Sequence, residues 1–305
     1  MDVSRYAAKP EAYDALSAYQ IANFFKEHGL ARDQVDCFAT NLLGSPVSAT
    51  PVQGATSYTV SGDEAAQVVQ FRGSQLPMRH IEVAKQLYGD FVPECESRGM
   101  FGPVYVYVAN LVPGPAFCRV RSQFFSPAPT MEQRLQQTVQ DFARFFASAW
   151  INKPARTLEP PPGLLSEYFN ILDEVSPGLP AQLQATLDDV RQELPRLFQS
   201  SYPMVLQHDD LLENNIHVDE ATGHITGIID WADAKIAPFG VSLATSCINS
   251  RSTSRGSSGR AASASNLHYR HSTYSLSSVT AHRSSAPLRR CQEETRSPRR
   301  KGASG

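Results

Sequence analysis

The amino-acid sequence predicts an α+β fold with two lobes: a small, β-rich N-terminal lobe and a mainly helical C-terminal lobe. Three observations support this prediction. Strand-like segments cluster between residues 55 and 112, apolar residues recur at helical spacing between 131 and 198, and both patterns stop near residue 240. We therefore expect four segments, which are a helical N-terminus at 1–40, the β-rich lobe at 41–114, an incomplete helical lobe at 115–240 and a disordered tail at 241–305.

The composition is typical of a soluble globular protein. Apolar residues make up 41% of the 305 residues, and charged residues make up 19%. No apolar run approaches the roughly 20 residues that a membrane-spanning helix needs, and the N-terminus lacks the basic start and apolar core of a secretory signal. The five cysteines are scattered without a CxxC pair, which argues against a zinc site or a disulfide framework. We expect a cytoplasmic protein without membrane contact.

The charge is distributed unevenly along the chain. Residues 241–305 hold 11 Arg or Lys and 2 Glu, a net charge of +9. The other 240 residues hold 17 basic and 28 acidic residues, a net charge of −11. An acidic surface of this kind repels nucleic acid, so the body is not expected to bind it. Only the basic tail is a candidate for binding nucleic acid.

The N-terminal half begins with a predicted helix over 11–30, which Gly29 is expected to end. A hairpin follows over 55–72, because two β-prone runs flank a polar turn. Residues 80–89 predict a short helix. The run GPVYVYVANLVPG at 102–114 alternates β-branched and aromatic residues before a Pro-Gly stop, which predicts a strand.

Two long helices are predicted for the C-terminal lobe, at 131–150 and 179–198, because apolar residues recur on one face of each. The Pro-rich segment 158–165 between them is expected to be a loop, and Pro195 is expected to kink the second helix. Both apolar stripes are expected to pack into the core. Their residues are Leu135, Val139, Phe142 and Phe146 in the first helix, and Leu183, Leu187, Val190, Leu194 and Leu197 in the second.

The tail has a different composition from the body. Residues 241–305 contain 17 Ser and no sustained apolar period. Such a segment cannot bury enough apolar surface to offset its conformational entropy, so we expect it to be disordered.

The stretch LQHDDLLENNIHVDEATGHITGIIDWADA, at 206–234, places acidic and amide residues among apolar ones. Two β-prone runs in it flank a turn-rich linker, which predicts a hairpin centred on Thr222 and Gly223. In that register Asn215 lies directly opposite Asp230, with Cα atoms about 4.5 to 5.5 Å apart. An amide oxygen and a carboxylate are oxygen ligands that suit Mg²⁺. The sequence therefore predicts a metal site at this pair.

A third polar residue, Asp210, lies five positions before Asn215, on a turn. Its carboxylate is expected to lie beside the metal pair without necessarily ligating the ion. A general base next to two metal ligands is the arrangement that phosphoryl transfer uses. We therefore expect Asp210 to accept the proton of an attacking hydroxyl.

These residues resemble a known pattern. His208, Asp210, Leu211 and Asn215 fit the H-x-D-L-x-x-x-N loop of kinase-like folds, and GIIDWADA follows at suitable spacing. The segment from about 40 to 240 resembles the aminoglycoside phosphotransferase and choline kinase superfamily. The resemblance implies a bilobal protein-kinase-like fold and an ATP- and Mg²⁺-dependent enzyme that phosphorylates a small-molecule hydroxyl. Asp210 would be its catalytic base, Asn215 and Asp230 would bind Mg²⁺, and His208 would brace the loop.

The resemblance also implies a nucleotide site in the N-terminal lobe. The loop containing Gly54 and Ser57 would lie over the phosphates, although a full GxGxxG is absent. Arg72 would take the place of a phosphate-contacting lysine, with Glu82 as its ion-pair partner; a plain surface pair is the alternative. The backbone from Ala109 to Leu111 would meet adenine as an inter-lobe hinge.

The sequence departs from the family pattern at two places. Asp209 stands where such loops usually carry glycine or arginine. Members of the superfamily also continue past the metal-binding Asp with several helices, whereas this chain becomes Ser- and Arg-rich after residue 240. We interpret the tail as an altered or out-of-frame ending. Two alternative functions follow: a catalytically impaired nucleotide-binding pseudoenzyme, and an RNA-binding protein acting through the tail.

Overall fold

The structure of the protein is a computed structural model. It describes residues 10–124, 130–152 and 159–243. Apart from its first three residues, the segment predicted as a disordered tail lies outside the described residues, as do the interpretations that depend on it.

The small lobe contains β1 (Ser48–Ala49), β2 (Ser57–Gly62), β3 (Gln67–Arg72), β4 (Cys95–Phe101) and β5 (Val104–Asn110). They form one antiparallel sheet in the order β1-β2-β3-β5-β4. The helix α3 (Met78–Tyr88) connects β3 to β4. The predicted hairpin, helix and strand are confirmed. The edge strand β4 was not predicted, because its central residues are exposed and show no alternation of burial.

Two helices, α1 (Pro10–His28) and α2 (Arg32–Leu43), cover one face of this sheet. Phe24 and Val35 pack there against Tyr58, Val60 and other apolar strand residues. Because side chains alternate along a strand, the neighbouring polar residues Ser57, Thr59, Gln70 and Arg72 lie on the opposite face. The sequence predicted α1 but not α2.

The larger part of the fold contains α4 (Phe117–Phe124), α5 (Met131–Ile151), α6 (Leu164–Val175) and α7 (Ala181–Glu193). Two short antiparallel pairs follow: β6 (Met204–Gln207) with β9 (Lys235–Pro238), and β7 (Ile216–Val218) with β8 (Ile225–Ile228). The two predicted long helices are confirmed. The second is shorter than predicted: it ends at Glu193, and a 3₁₀ segment that contains Pro195 continues from Leu194 to Phe198 in place of a kinked helix. The helix α6 was not predicted. This α+β arrangement, with an N-terminal sheet and a helical region after it, agrees with the predicted fold class.

The predicted packing face of α5 is partly wrong. Val139 is 65% exposed, whereas Thr138 and Asp141 are buried. Polar contacts explain the difference. The Asp141 carboxylate accepts a hydrogen bond from the Ile225 N–H. The Thr138 hydroxyl donates a hydrogen bond to the Gly223 carbonyl. These bonds form only when the face of α5 that carries Thr138 and Asp141 points into the fold, which leaves Val139 in solvent. In α7, Leu183 and Val190 are likewise exposed.

The core of the larger part contains an aromatic cluster that includes Tyr88, Phe145 and Trp231. The Tyr88 ring stacks on Phe145 with centroids 4.4 Å apart and lies 5.1 Å from the ring of Trp231. Because Tyr88 belongs to α3, this cluster joins the helix of the small lobe to the segment that follows β8. None of the helices within the described residues is long and apolar enough to cross a membrane.

Candidate active site

The residues predicted to carry the chemistry, which are His208, Asp210, Asn215 and Asp230, lie next to the strand pairs β6–β9 and β7–β8. In the β6–β9 pair, Gln207 lies opposite Lys235. The loop that starts at His208 therefore leaves β6 at the end of the ladder where the segment 230–234 enters β9. Residues more than twenty positions apart in sequence become neighbours in this way.

His208 is buried beneath the loop, with 1% of its surface exposed. Its Nε2 lies 2.8 Å from the Ile229 carbonyl, and its ring lies 4.6 Å from that of Trp231. Since a carbonyl only accepts hydrogen bonds, Nε2 carries the proton of the neutral ring. Burial lowers the pKa of His208, while the Ile229 carbonyl and the nearby aspartates act in the opposite direction. A neutral histidine thus connects the loop to the segment before Asp230.

Asp210 and Asn215 are held together at the other end of the loop. The Asn215 amide donates to the Asp210 backbone carbonyl at 2.9 Å and to its carboxylate at 3.0 Å. These bonds fix the orientation of the amide, so its oxygen Oδ1 faces away from Asp210. The Asn214 amide donates to that oxygen at 2.8 Å. One lone pair of Oδ1 remains for a further interaction.

The predicted register of the hairpin is wrong by one residue. Ile216 lies opposite Ile228, and the Ile229 N–H donates to the Asn215 carbonyl. Asn215 therefore does not lie directly opposite Asp230. Burial of the strand residues fixes this register, and a bulge before Val218 absorbs the extra residue of the turn.

Asp230 nevertheless stays at the same open end of the hairpin as Asn215, because one precedes β7 and the other follows β8. Its backbone adopts a left-handed conformation, with φ 62°, that turns the chain into the 3₁₀ segment Trp231–Asp233. Loss of hydration, followed by the negative charge of Asp230, raises the pKa of Asp233, although that residue stays exposed. Asp209 acts on Asp233 in the same direction as Asp230, and the cations Arg72 and Lys235 oppose both.

Arg72 reaches this acidic end from the small lobe. Its Nη1 lies 3.5 Å from the Asp230 carboxylate and 3.5 Å from the Gln70 side-chain oxygen. The residue is 7% exposed, and its buried Nε has no hydrogen-bond partner. A buried guanidinium with an unused donor suits an anion such as a phosphate.

The predicted ion pair between Arg72 and Glu82 is wrong. No ion pair joins them in the part of the chain that the structure describes, and Arg72 pairs with Asp230 instead. On α3 the buried residues are Ile81, Ala84, Leu87 and Tyr88. Glu82 follows Ile81 by about 100° around the helix, which places it on the exposed face.

The loop before β2 lies close to Arg72. In the β2–β3 ladder, Ser57 lies opposite Arg72. A Cβ atom on Gly54 would come within 2.6 Å of the Ser57 hydroxyl, so a larger residue there would require that hydroxyl to move. The loop that contains Gly54 and Ser57 thus ends beside the guanidinium.

The backbone of the predicted hinge, residues 109–111, pairs with other strands and loops of the protein. Ala109 lies in β5, between Val68 of β3 and Cys95 of the edge strand β4. The Leu111 N–H donates to the Ala66 carbonyl at 2.9 Å. Leu111 therefore offers no unused amide donor in this structure. Contact of the Ala109–Leu111 backbone with adenine remains a prediction.

Two polar residues near the site were not singled out from the sequence. Asn214 orients Asn215, and the doublet of asparagines in the loop was the only local signal for it. Glu213 pairs with Arg121 of α4 at 3.0 Å. Burial raises the pKa of Glu213, and Arg121 opposes the shift. The pair joins residues far apart in sequence, so no local pattern indicates it.

The donor set fits a magnesium ion. Within the described residues no group of three or more His, Cys, Asp or Glu side chains could hold a metal by itself. Asn215 and Asp230 supply one amide oxygen and one carboxylate. Mg²⁺ is commonly bound by one or two carboxylates together with phosphate and water oxygens, so a pair of this kind suffices when a nucleotide is present.

We expect the buried His208 to make stability depend on pH. Its pKa is lowered in the folded protein, whereas an unfolded chain takes up the proton near pH 6.5. The free energy of unfolding should therefore fall as the pH drops below about 6.5, by at most ~1.4 kcal/mol per pH unit. Urea unfolding at pH 7.5 and 5.5 measures the loss. A His208→Gln variant should lose less stability over this range; an equal loss in both proteins would contradict the assignment.

A second expected result concerns Asp209, whose φ of 63° is left-handed. Its carboxylate pairs with Lys235 at 2.9 Å, and both side chains are partly exposed. Asp209→Gly removes a pair worth at most about 1 kcal/mol and relieves backbone strain of roughly 1 kcal/mol. Its free energy of unfolding should stay within about 1 kcal/mol of wild type, whereas Asp209→Ala keeps the strain and should be less stable. A glycine variant less stable than the alanine variant in urea would refute this.

A sequence profile of the family described as "Phosphotransferase enzyme family" matches residues 96–274, more than half of the chain. A search of curated proteins found no match.

Several solved structures are similar to the chain. One is aminoglycoside phosphotransferase APH(4)-Ia, with 16% identity and a TM-score of 0.46 over 68% of this chain and 73% of that chain. Another is the GDP complex of aminoglycoside 2'-phosphotransferase-IIIa, with 17% identity and a TM-score of 0.46 over 68% and 75%. A third is macrolide 2'-phosphotransferase type I, with 17% identity and a TM-score of 0.44 over 71% and 76%.

Proposed function

This chain belongs to the phosphotransferase enzyme family, and on that premise we propose that it transfers the γ-phosphoryl group of ATP to a hydroxyl of a small molecule. The observation that carries the proposal is the pairing of the Asp210 carboxylate with the Asn215 amide, at the hairpin end that also bears Asp230. A proton acceptor and two oxygen donors thereby share one site, with Arg72 beside Asp230.

In the proposed reaction Asp210 is the general base. Its carboxylate accepts the proton of the acceptor hydroxyl while that oxygen forms a bond to the γ-phosphorus. The bond between the γ-phosphorus and the β–γ bridging oxygen breaks, and ADP leaves. The hydrogen bond from Asn215 keeps the carboxylate oriented.

Asn215 and Asp230 would hold Mg²⁺. When bound, the ion would neutralise negative charge on the β- and γ-phosphates. Asn214 supports the Asn215 amide, and a left-handed turn at Asp230 separates β8 from the 3₁₀ segment Trp231–Asp233. His208 holds the loop to the segment that carries Asp230.

Arg72 would contact the phosphates from the small lobe. Its unpartnered Nε and low exposure favour an anionic ligand. A phosphate bound there would contact the same guanidinium as Asp230, which would hold the nucleotide next to Asp230. Glu82 has no part in this arrangement.

Two assays test the proposal in sequence. The first measures thermal stabilisation of the full chain by ATP with and without Mg²⁺. The second incubates the chain with ATP labelled at the γ-phosphate and a panel of hydroxyl compounds, including amine-bearing ones because of the acidic site. Stabilisation that requires Mg²⁺, followed by labelled product, supports the kinase. Binding without turnover would instead favour the nucleotide-binding pseudoenzyme, and no stabilisation by any nucleotide would refute both.

A further inference from the structure

The loop between β1 and β2 is held by a buried glutamine that the proposed mechanism does not use. Gln53 is 5% exposed. Its side-chain oxygen accepts from the Thr59 N–H at 2.9 Å, and this bond fixes the orientation of the amide. The amide nitrogen then donates to the Thr59 carbonyl at 2.8 Å and to the Thr50 carbonyl at 3.0 Å. The Thr59 carbonyl also accepts from the Thr50 N–H at 3.1 Å, so Gln53 links two residues that pair at the end of β1 and β2.

Helix α1 holds the same loop from the other side. Ser17 is 7% exposed, and its hydroxyl donates to the Pro51 carbonyl at 2.9 Å. The same hydroxyl accepts from the Gln53 N–H at 3.2 Å. One serine therefore bonds two backbone groups of the loop, the carbonyl of the exposed Pro51 and the N–H of the buried Gln53.

The far end of this loop lies at the candidate phosphate site. Gly54 approaches the Ser57 hydroxyl closely, and Ser57 lies opposite Arg72 in the sheet. Gln53 is the residue next to Gly54. The bonds made by Ser17 and Gln53 consequently hold the chain at the residue directly before Gly54.

We propose that Gln53 and Ser17 are positioning residues that preorder the loop at 50–57 for the phosphates of the nucleotide. The proposal rests on the proposed function, because it assigns a role to that same site. Flexible loops lose conformational entropy when they close on a ligand, and a loop already ordered avoids that loss. Helix α1 therefore raises nucleotide affinity without touching the nucleotide.

The test uses Ser17→Ala in the full chain, with Ser17→Thr as the conservative variant. Ser148→Ala is the matched control, because Ser148 also lies in a helix and its hydroxyl donates to a backbone carbonyl, that of Arg144. Hydrogen exchange without nucleotide reports the order of the loop directly. Steady-state kinetics with ATP separate KM from kcat.

We expect Ser17→Ala to speed exchange of the Gln53 amide and its neighbours by about 5- to 10-fold, as loss of a buried hydrogen bond implies. The KM for ATP should rise by a similar factor of about 5 to 10, with kcat within about 2-fold of wild type. Ser17→Thr keeps the hydroxyl, so both its exchange rate and its KM should stay close to those of wild type. Ser148→Ala should change neither quantity. Gln53→Ala should act in the same direction, and Ser17→Ala remains informative if that variant does not fold.

Several outcomes would overturn the inference. Unchanged exchange at 50–57 in Ser17→Ala would show that the serine does not order the loop. Faster exchange with an unchanged KM would show that the order of the loop does not matter for the nucleotide; in both cases the proposed function stands. If the wild-type chain neither binds nor uses ATP, the proposed function fails, and the positioning role fails with it whatever the exchange data show.

Discussion

Replacing Asp210 by asparagine is expected to lower the rate of phosphoryl transfer by about 10² to 10⁴, the range that general bases contribute. Asparagine can still accept the hydrogen bond from Asn215 through its own side-chain oxygen, so the loop should keep its shape. It cannot accept the proton of the attacking hydroxyl. Nucleotide affinity should therefore change little while kcat falls. Single-turnover measurements with labelled ATP, together with a nucleotide titration, separate the two quantities.

Asp209→Asn is the matched control for this experiment. It removes the same charge one position earlier, where the carboxylate pairs with Lys235 rather than with Asn215. Because a partly exposed pair is worth at most about 1 kcal/mol, the control should change the rate by less than ~10-fold. Equal rates in Asp210→Asn and wild type would remove Asp210 from its role, and equal losses in both variants would indicate a general electrostatic effect.

The largest expected effect on stability belongs to Trp231. Its ring contacts Tyr88, Phe145 and His208, and its Nε1–H donates to the Ile228 carbonyl at 2.9 Å. Trp231→Ala leaves a cavity and an unpaired carbonyl. The free energy of unfolding should fall by about 3 to 5 kcal/mol. Urea unfolding followed by circular dichroism measures the loss independently of fluorescence.

The matched control is Trp150, the other of the two tryptophans in the sequence. Trp150 is 51% exposed and contacts Phe239 at one edge. Trp150→Ala should therefore lower the free energy of unfolding by only about 1 kcal/mol. Similar losses in the two variants would mean that the cluster around Trp231 is not the core of this part of the fold.

The residues of the candidate site could be singled out because they are close together in sequence. The spacing of His208, Asp210 and Asn215 is local, and the hairpin returns the chain to the same place at Asp230. The exact register could not be predicted, since it depends on a bulge and on which side chains the rest of the fold buries. The partner of Arg72 was also missed. An ion pair between residues 158 positions apart follows from how the lobes meet, which no local pattern records.

The fold was predictable where burial alternates or repeats along one element. It was not predictable where polar contacts override the pattern, as in α5, where Asp141 is buried and Val139 exposed. The pair of β6 and β9 was missed for a related reason. Its two strands are short and lie about thirty residues apart, so each is too brief to stand out alone. Gln53 shows the same limit, because its role depends on a helix from another part of the chain.

In the proposed site, the Asn215 amide and the Asp230 carboxylate bind a divalent ion beside the proton acceptor Asp210. A crystal structure of the full chain with Mn²⁺ and a non-hydrolysable ATP analogue would examine this arrangement, since anomalous scattering locates the ion independently of its ligands. We expect a single peak about 2.1 Å from both Asn215 Oδ1 and the Asp230 carboxylate. A peak bound by other residues, or a nucleotide bound with no ion at this pair, would contradict the account.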